Sequence, residues 1–203
     1  SDAILDELQA AGITSSEQHM HRARNHMLRG DHARHVLKDS DATRDHYASA
    51  LESVQAAGAI DAQDARVRTN HAIVLTGLGS IESREGNDAE SLKWYDQARV
   101  MRASLVQDDP EDPLLQRDLA VVLARVAYMA GRTGDIDRQQ QYLDESMRIR
   151  RSLARRFPGQ NRQLRDLASG HRALADAHVD RDHRSEALQH FVQYIDLLEM
   201  LAW

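Results

Sequence analysis

The chain repeats itself. The stretch from Gly86 to Ala120 returns 48 residues later: Gly86 becomes Gly134, Leu105 becomes Leu153, Pro110 becomes Pro158, and Asp118-Leu119-Ala120 becomes Asp166-Leu167-Ala168. Ser104 and Ser152 correspond in the same way, and Leu201 follows Leu153 at the same interval. Self-similarity at a fixed spacing implies stacked supersecondary units, each unable to bury its apolar face alone. Neighbouring units then share one continuous core, and the last unit exposes a face that a cap, another repeat or a partner has to cover.

Within each unit the apolar residues recur at helical spacing. Tyr47, Ala50, Leu51 and Val54 share a face, Leu92, Tyr95, Ala98, Val100, Met101 and Leu105 form the apolar set of a later helix, and no stretch alternates with period two for long enough to make a strand. The spacing predicts a short helix over 2–11 and a second over about 16–36, started by one of two overlapping capping boxes within Thr14–Gln18 and breaking near Gly30-Asp31. It predicts further helices over 41–57, stopped by Gly58, and from a cap at Asp61 to Glu85. The remaining helices are expected at 88–107, from Asp112-Pro113 to about Gly131, at 136–155, at 161–180 and at 184–202.

Composition agrees with an all-α reading. Aromatics make up only 4% of the residues and charged residues 29%, which suits an Ala/Leu/Arg-rich helical protein better than a β-sandwich. The net charge of −6 argues against general nucleic-acid binding. There is no cysteine, hence no disulfide framework or thiolate chemistry. No apolar run reaches the roughly 18 residues a membrane span needs, and no signal-peptide pattern is present. A chain beginning at Ser1 without Met reads as a piece of something longer, and the expected location is cytoplasmic.

The unit has a recognisable consensus. Leu75-x-x-Leu78-Gly79, the Gly86-Asn87 turn, then Ser91, Tyr95 and Ala98 resemble the tetratricopeptide repeat (TPR), with its large residue, Leu-Gly, Gly turn and small–aromatic–small series. Leu123, Val126-Ala127, Gly134-Asp135, Gln139, Leu143 and Ser146 form a second copy. His171, Leu174-Ala175, Asp182, Ala187, Phe191 and Tyr194 form a third, and Thr43, Tyr47 and Ala50 a half-copy upstream. The resemblance covers residues 40–203 well and 15–39 weakly. The period is longer than the family's about 34 residues, and the excess falls as about seven residues, or two turns, on each helix at the end away from the Gly turn.

The resemblance implies one all-α, right-handed α-solenoid of antiparallel helix pairs over 1–203, with helices of about 20 residues. Its parts are a leading helix at 1–14, a degenerate pair at 15–58, and repeats at 59–109, 110–158 and 159–203. It also implies a partner groove along the first helix of each repeat. The groove-facing positions are Ile73, Thr76, Ser80, Ser83 and Arg84, then Val121, Ala124, Tyr128 and Arg132, then Arg172, Asp176, Val179 and Asp180. Thr76 and Ser80 stand where the carboxylate-clamp members of the family carry their key polar residues, so that version is not met.

A second candidate comes from charge alone. Between 148 and 172 there are eight arginines and only Asp166, whereas residues 1–64 hold 6 basic and 11 acidic residues. Arg148, Arg151, Arg155, Arg156 and Arg162 therefore form a candidate docking patch for an acidic peptide or a phosphorylated segment. Asp144 and Glu145, one turn away, offer the competing reading of a solvated, self-paired face. Aromatic interleaving for base stacking is missing, which disfavours nucleic acid.

Catalysis and metals find little support. None of the eleven histidines forms an H-x-x-x-H pair, Asp31, His35 and Asp39 make only a weak mixed set, and no phosphate loop or nucleophile elbow is present. No cofactor or metal is expected. The sequence thus reads as a non-catalytic scaffold binding a protein or peptide, in the manner of domains in bacterial signalling proteins, with self-association through the C-terminal helix. The alternative is a peptide- or ligand-sensing domain that controls an attached output domain.

Overall fold

The computed structural model describes residues 15–201, so the expected leading helix at 1–14 lies outside the described residues. Eight α-helices and one short π-helical segment account for the regular structure, with no strand among the described residues. In order they are α1 (Ser16–His32), the π segment (Ala33–Leu37), α2 (Ser40–Ile60), α3 (Ala65–Glu85), α4 (Asp88–Asp108), α5 (Pro113–Arg132), α6 (Ile136–Arg156), α7 (Asn161–Val179) and α8 (Arg184–Leu201). The chain is all-α, and consecutive helices pack in pairs, α1 with α2, α5 with α6 and α7 with α8. It divides into two compact units, Ser1–Leu105 and Val106–Trp203.

Local chemistry explains most helix boundaries. Ser15 and Gln18 form the capping box of α1: the Gln18 amide donates to Ser15 Oγ at 3.3 Å, and the Ser15 amide donates to Gln18 Oε1 at 2.9 Å. Asp112 Oδ1 accepts from the Leu114 and Leu115 amides at 2.7 and 3.3 Å, with Pro113 as the first residue of α5. Gly86 and Gly134 take φ of 82° and 86°, the left-handed conformation that closes a helix.

Three boundaries differ from the sequence reading. No break occurs at Gly30-Asp31: α1 continues to His32 and runs on into the π segment before Lys38, at φ 58°, ends it. Gly30 is there for packing, because a Cβ at this position would come 2.7 Å from the Tyr47 ring. Gly58 does not stop α2, which continues to Ile60, and nothing in the packing requires a glycine there. Asp64, rather than Asp61, caps α3 through the Arg66 amide at 2.8 Å, while Asp61 Oδ1 accepts from Gln63 and Asp64 in the preceding turn.

In the first unit the core gathers Ala23, Tyr47, Ala50, Val54, Val74, Leu78 and Ile81 from α1, α2 and α3. The Tyr47 ring lies between Gly30 of α1 and Gly77 of α3, and a methyl group at Gly77 would overlap the ring outright. Its hydroxyl donates to Asp31 Oδ1 at 2.9 Å, and burial followed by that carboxylate pushes the phenol up to about 12. On α4, Tyr95 packs against Gly79 in the same way, and Ser91 Oγ donates to the Gly79 carbonyl at 2.8 Å.

The second unit packs Leu143 and Met147 of α6 against Ala127 of α5 and Leu174 and Ala177 of α7. One arginine counted from sequence as surface charge is interior: Arg150 is 6% exposed, with Nε donating to Ser146 Oγ at 3.2 Å and Nη1 bonded to the Asp166 carbonyl. Burial lowers its pKa, partly offset by Asp166. The Asp166 carboxylate takes Arg117 in fork geometry, at 2.5 and 3.2 Å, so the one acid of the basic stretch is committed to the core. That commitment leaves the exposed arginines of α6 without it.

Candidate functional site

The residues expected along the groove-lining helices fall into three kinds. Thr76 and Ser80 spend their hydroxyls inside the protein: Thr76 Oγ1 donates to the Ala72 carbonyl at 2.7 Å and Ser80 Oγ to the Thr76 carbonyl at 3.0 Å. Ser80 Oγ also lies 3.0 Å from the Tyr95 hydroxyl. Val121 and Ala124 are half-buried on α5. Exposed positions are Ile73 and Arg84 on α3, Tyr128 and Arg132 on α5, and Arg172 and Asp176 on α7. Within these, Arg132 stacks over the Tyr128 ring at 5.9 Å and Arg172 pairs with Asp176 at 3.8 Å. Arg84 lines a separate hollow with Arg34, Lys38 and Glu85.

The basic patch separates into two places. Arg156 leaves it: its Nη2 donates to Glu111 Oε2 at 3.0 Å and its Nη1 to Gln116 Oε1 at 3.2 Å. Arg162 lines a small hollow beside Pro113, Leu114 and Phe157. Arg148, Arg151 and Arg155 stay together. They occupy positions i, i+3 and i+7 of α6, one face of a helix, and line a cleft of about 550 Å³. Gln140, Asp144 and Met147 of α6, Leu174 and His178 of α7 and His190 of α8 complete its walls.

The chemistry of this cleft is unbalanced. Arg148, Arg151 and Arg155 are exposed and make no hydrogen bond or ion pair among the described residues. Asp144, the one carboxylate in the lining, accepts from Gln140 Nε2 at 3.0 Å instead of pairing with Arg148. The self-paired face that Asp144 and Glu145 could have formed is therefore not built. Elsewhere in this unit several arginines are engaged, Arg117 by Asp166, Arg156 by Glu111, Arg184 by Asp182 and Arg181 by Gln140 Oε1 at 2.8 Å, while Arg162 and Arg165 are exposed away from this cleft.

Sequence reasoning missed the histidine wall. His171 and His178 on α7 meet His190 on α8: His171 Nδ1 lies 3.1 Å from His190 Nδ1, and the His178 and His190 rings stack at 5.5 Å. His183 adds a third ring contact to His178 at 5.8 Å. Burial, then the His190 ring and the Arg151 guanidinium, push His171 down to about 4. His190 is lowered by burial, His178 and Arg151, against an opposing pull from Asp144; His178 is lowered by burial and Arg181. At neutral pH the His171, His178 and His190 rings are uncharged and each carries one N–H, one of which is used between the facing Nδ1 atoms of His171 and His190. The signal was present as two pairs spaced seven apart, 171/178 and 183/190, on consecutive antiparallel helices. Among the described residues no group of three ligating side chains could hold a metal ion.

No family model matches the sequence, and no curated protein matches it. The crystal structure of BtubC (BKLC) from P. vanneervenii aligns over 93% of this chain and 75% of its own, with TM-score 0.53 and 12% identity. MamA protein aligns over 89% of this chain and 94% of its own, with TM-score 0.41 and 14% identity. The fold is a TPR-like helical repeat. At this identity the likeness concerns the backbone alone. No described helix is long and apolar enough to cross a membrane.

Proposed function

We propose that this protein is a non-catalytic interaction module that docks an acidic protein segment in the α6–α7–α8 cleft. The observation that carries the reading is the set of three exposed guanidiniums, Arg148, Arg151 and Arg155, without a partner of their own. Holding like charges on one helix face costs about 0.2–0.5 kcal/mol per pair, so an incoming anion relieves repulsion as well as forming new bonds. The exposed groove positions Tyr128, Arg132, Arg172 and Asp176 are a secondary contact surface for the same class of partner. The module belongs to a larger cytoplasmic regulatory protein on this reading.

The repeat behind it is an extended TPR-like unit of 48 residues. Support comes from the left-handed residues Lys38, Gly86, Gly134 and Asp182, each 48 positions after the last. Buried Thr43, Ser91, Gln139 and Ala187 follow the same interval. On α8, Leu188, Val192 and Ile195 form an apolar stripe at i, i+4 and i+7 and are 64%, 46% and 51% exposed. That exposed stripe is the surface through which two copies would self-associate. Light scattering that returns a strict monomer at high concentration removes that part.

Isothermal titration with acidic, neutral and basic peptide pools tests the docking reading. Binding confined to the acidic pool, and lost on replacing Arg151 and Arg155 by alanine in a protein with unchanged circular dichroism, is the expected result. No heat from any pool overturns it.

A further inference from the structure

The cleft fits one kind of acid better than the others. Its fixed charges are three guanidiniums and the Asp144 carboxylate, while the neighbouring imidazoles are neutral, which leaves two positive charges uncompensated. A single carboxylate supplies one negative charge and two oxygens, and it satisfies one guanidinium in fork geometry. A phosphate monoester supplies a charge of about −1.5 to −2 and three acceptor oxygens on one tetrahedral centre. Along α6, Arg151 lies about 4.5 Å beyond Arg148, and Arg155 about 6 Å further on. Those separations are short against the reach of an arginine side chain, so all three forks can turn onto one group. A row of carboxylates would need its own backbone to match that pitch.

The imidazole wall adds directional donors. His178 and His190 both line the cleft, and His178 Nδ1 is shielded from solvent without a hydrogen-bond partner, so no protein acceptor fixes its tautomer. A neutral ring presents one N–H to an oxyanion without adding a charge that a carboxylate could exploit equally. Asp144 works the other way: it sits one turn before Arg148 and repels any anion at that end. An anionic group is therefore better placed towards Arg151 and Arg155 than beside Asp144. With about 550 Å³ available, the cleft also has room for the side chain bearing the phosphate and for part of its backbone.

We propose that the α6–α7–α8 cleft recognises a phosphorylated side chain, phosphoserine or phosphothreonine, on the docked protein segment, through Arg148, Arg151 and Arg155, with His190 as a further donor through Nε2–H in the tautomer whose Nδ1 accepts from His171. This inference rests on the acidic-segment reading and narrows it to a phosphomonoester dianion.

The full 203-residue chain, labelled with 15N, is titrated with two probes of equal charge: N-acetyl-phosphoserine amide and the dicarboxylate N-acetyl-Glu-Glu amide. Arginine Nε–H and histidine ring signals are followed. The expected result is saturation of the Arg148, Arg151 and Arg155 signals at a concentration at least tenfold lower for phosphoserine. Arg151→Lys keeps the charge and loses the fork, so it should remove that tenfold preference while leaving the dicarboxylate response within twofold. Equal saturation by both probes overturns the phosphate inference and leaves acidic docking standing. Shifts from neither probe, in a chain whose spectrum remains dispersed, overturn both. Saturation by a single-stranded RNA decamer at lower concentration than by phosphoserine overturns the proposal in favour of nucleic acid.

Discussion

Position 148 of the second unit is an arginine at the mouth of a basic cleft; 48 residues earlier, position 100 of the first unit is a valine in an apolar hollow. Asp96 and Asp144 hold corresponding places on α4 and α6, yet their neighbourhoods diverge. Around α4, Leu75, His71, Val100 and Met101 enclose a space of about 420 Å³ whose walls are mostly carbon, and Asp96 is taken by Arg99 Nε at 2.7 Å. Around α6, the corresponding acid takes an amide donor, and the arginines beside it are left open. One helical frame thus holds two surfaces of opposite chemistry, because exposed helix positions change identity without disturbing the buried face. The fold alone does not say which surface works. The docking proposal rests on the distribution of unpaired charge instead.

Reversing that difference should have the largest effect. Replacing Arg148, Arg151 and Arg155 by glutamate should weaken acidic-peptide binding more than a hundredfold in titration calorimetry. Thermal stability should hold, since none of the three makes a hydrogen bond or ion pair among the described residues. Introducing arginine at Val100 tests the converse: if a single charge there makes the first unit bind the same peptides, the local imbalance around α6 is not what matters.

Next in size is a stability contrast inside the first unit. Gly77→Ala drives a methyl group into the Tyr47 ring and should cost about 1–3 kcal/mol in denaturant unfolding. Gly58→Ala meets only Val67 Cγ1, at 3.8 Å, and should be neutral or stabilise by about 0.5–1 kcal/mol. Equal effects would mean that the ring yields, and that the close approach of α2 and α3 is not fixed by it.

Acid should weaken the second unit at His171. His171 is held down to about 4 in the folded protein, against an ordinary value of about 6.5. Between those values the unfolded chain takes a proton that the folded chain refuses, so stability falls as pH drops from 6.5 towards 4. The loss should appear in melts followed through the second unit, as a shift of a few degrees, and His171→Leu should flatten it. The smallest effect expected is at the last turn: Asp182, at φ 56°, stands where Gly86 and Gly134 precede it, and Asp182→Gly should stabilise by a few tenths to about 1 kcal/mol.

What could be read in the sequence follows from how far each signal travels along the chain. The Asp112-Pro113 start, the Gly86 and Gly134 stops and the Ser15/Gln18 box each depend on residues within four positions, so they could be placed from the string alone. Gly30 and Gly58 were misread as stops because a glycine inside a helix looks the same whether it ends the helix or makes room for a neighbour. Only the Tyr47 ring, seventeen residues away, decides the first case. Arg150 and Asp166 looked like surface charge because burial is a property of the packed unit, not of the segment. The basic triplet was visible as a charge run. The separation of Arg156 from it, and the convergence of His178 and His190 upon it, required α7 and α8 to be in place.

The Tyr47 ring between Gly30 and Gly77 carries an evolutionary consequence. Three positions from three different helices share one volume, so none can enlarge unless another shrinks. Substitution there is not three independent events but one joint choice: a bulky residue at either glycine is tolerated only in a lineage that has already given up the ring. Among related sequences, positions 30, 47 and 77 should therefore vary together or not at all, and the helices that carry them should be inherited as a block.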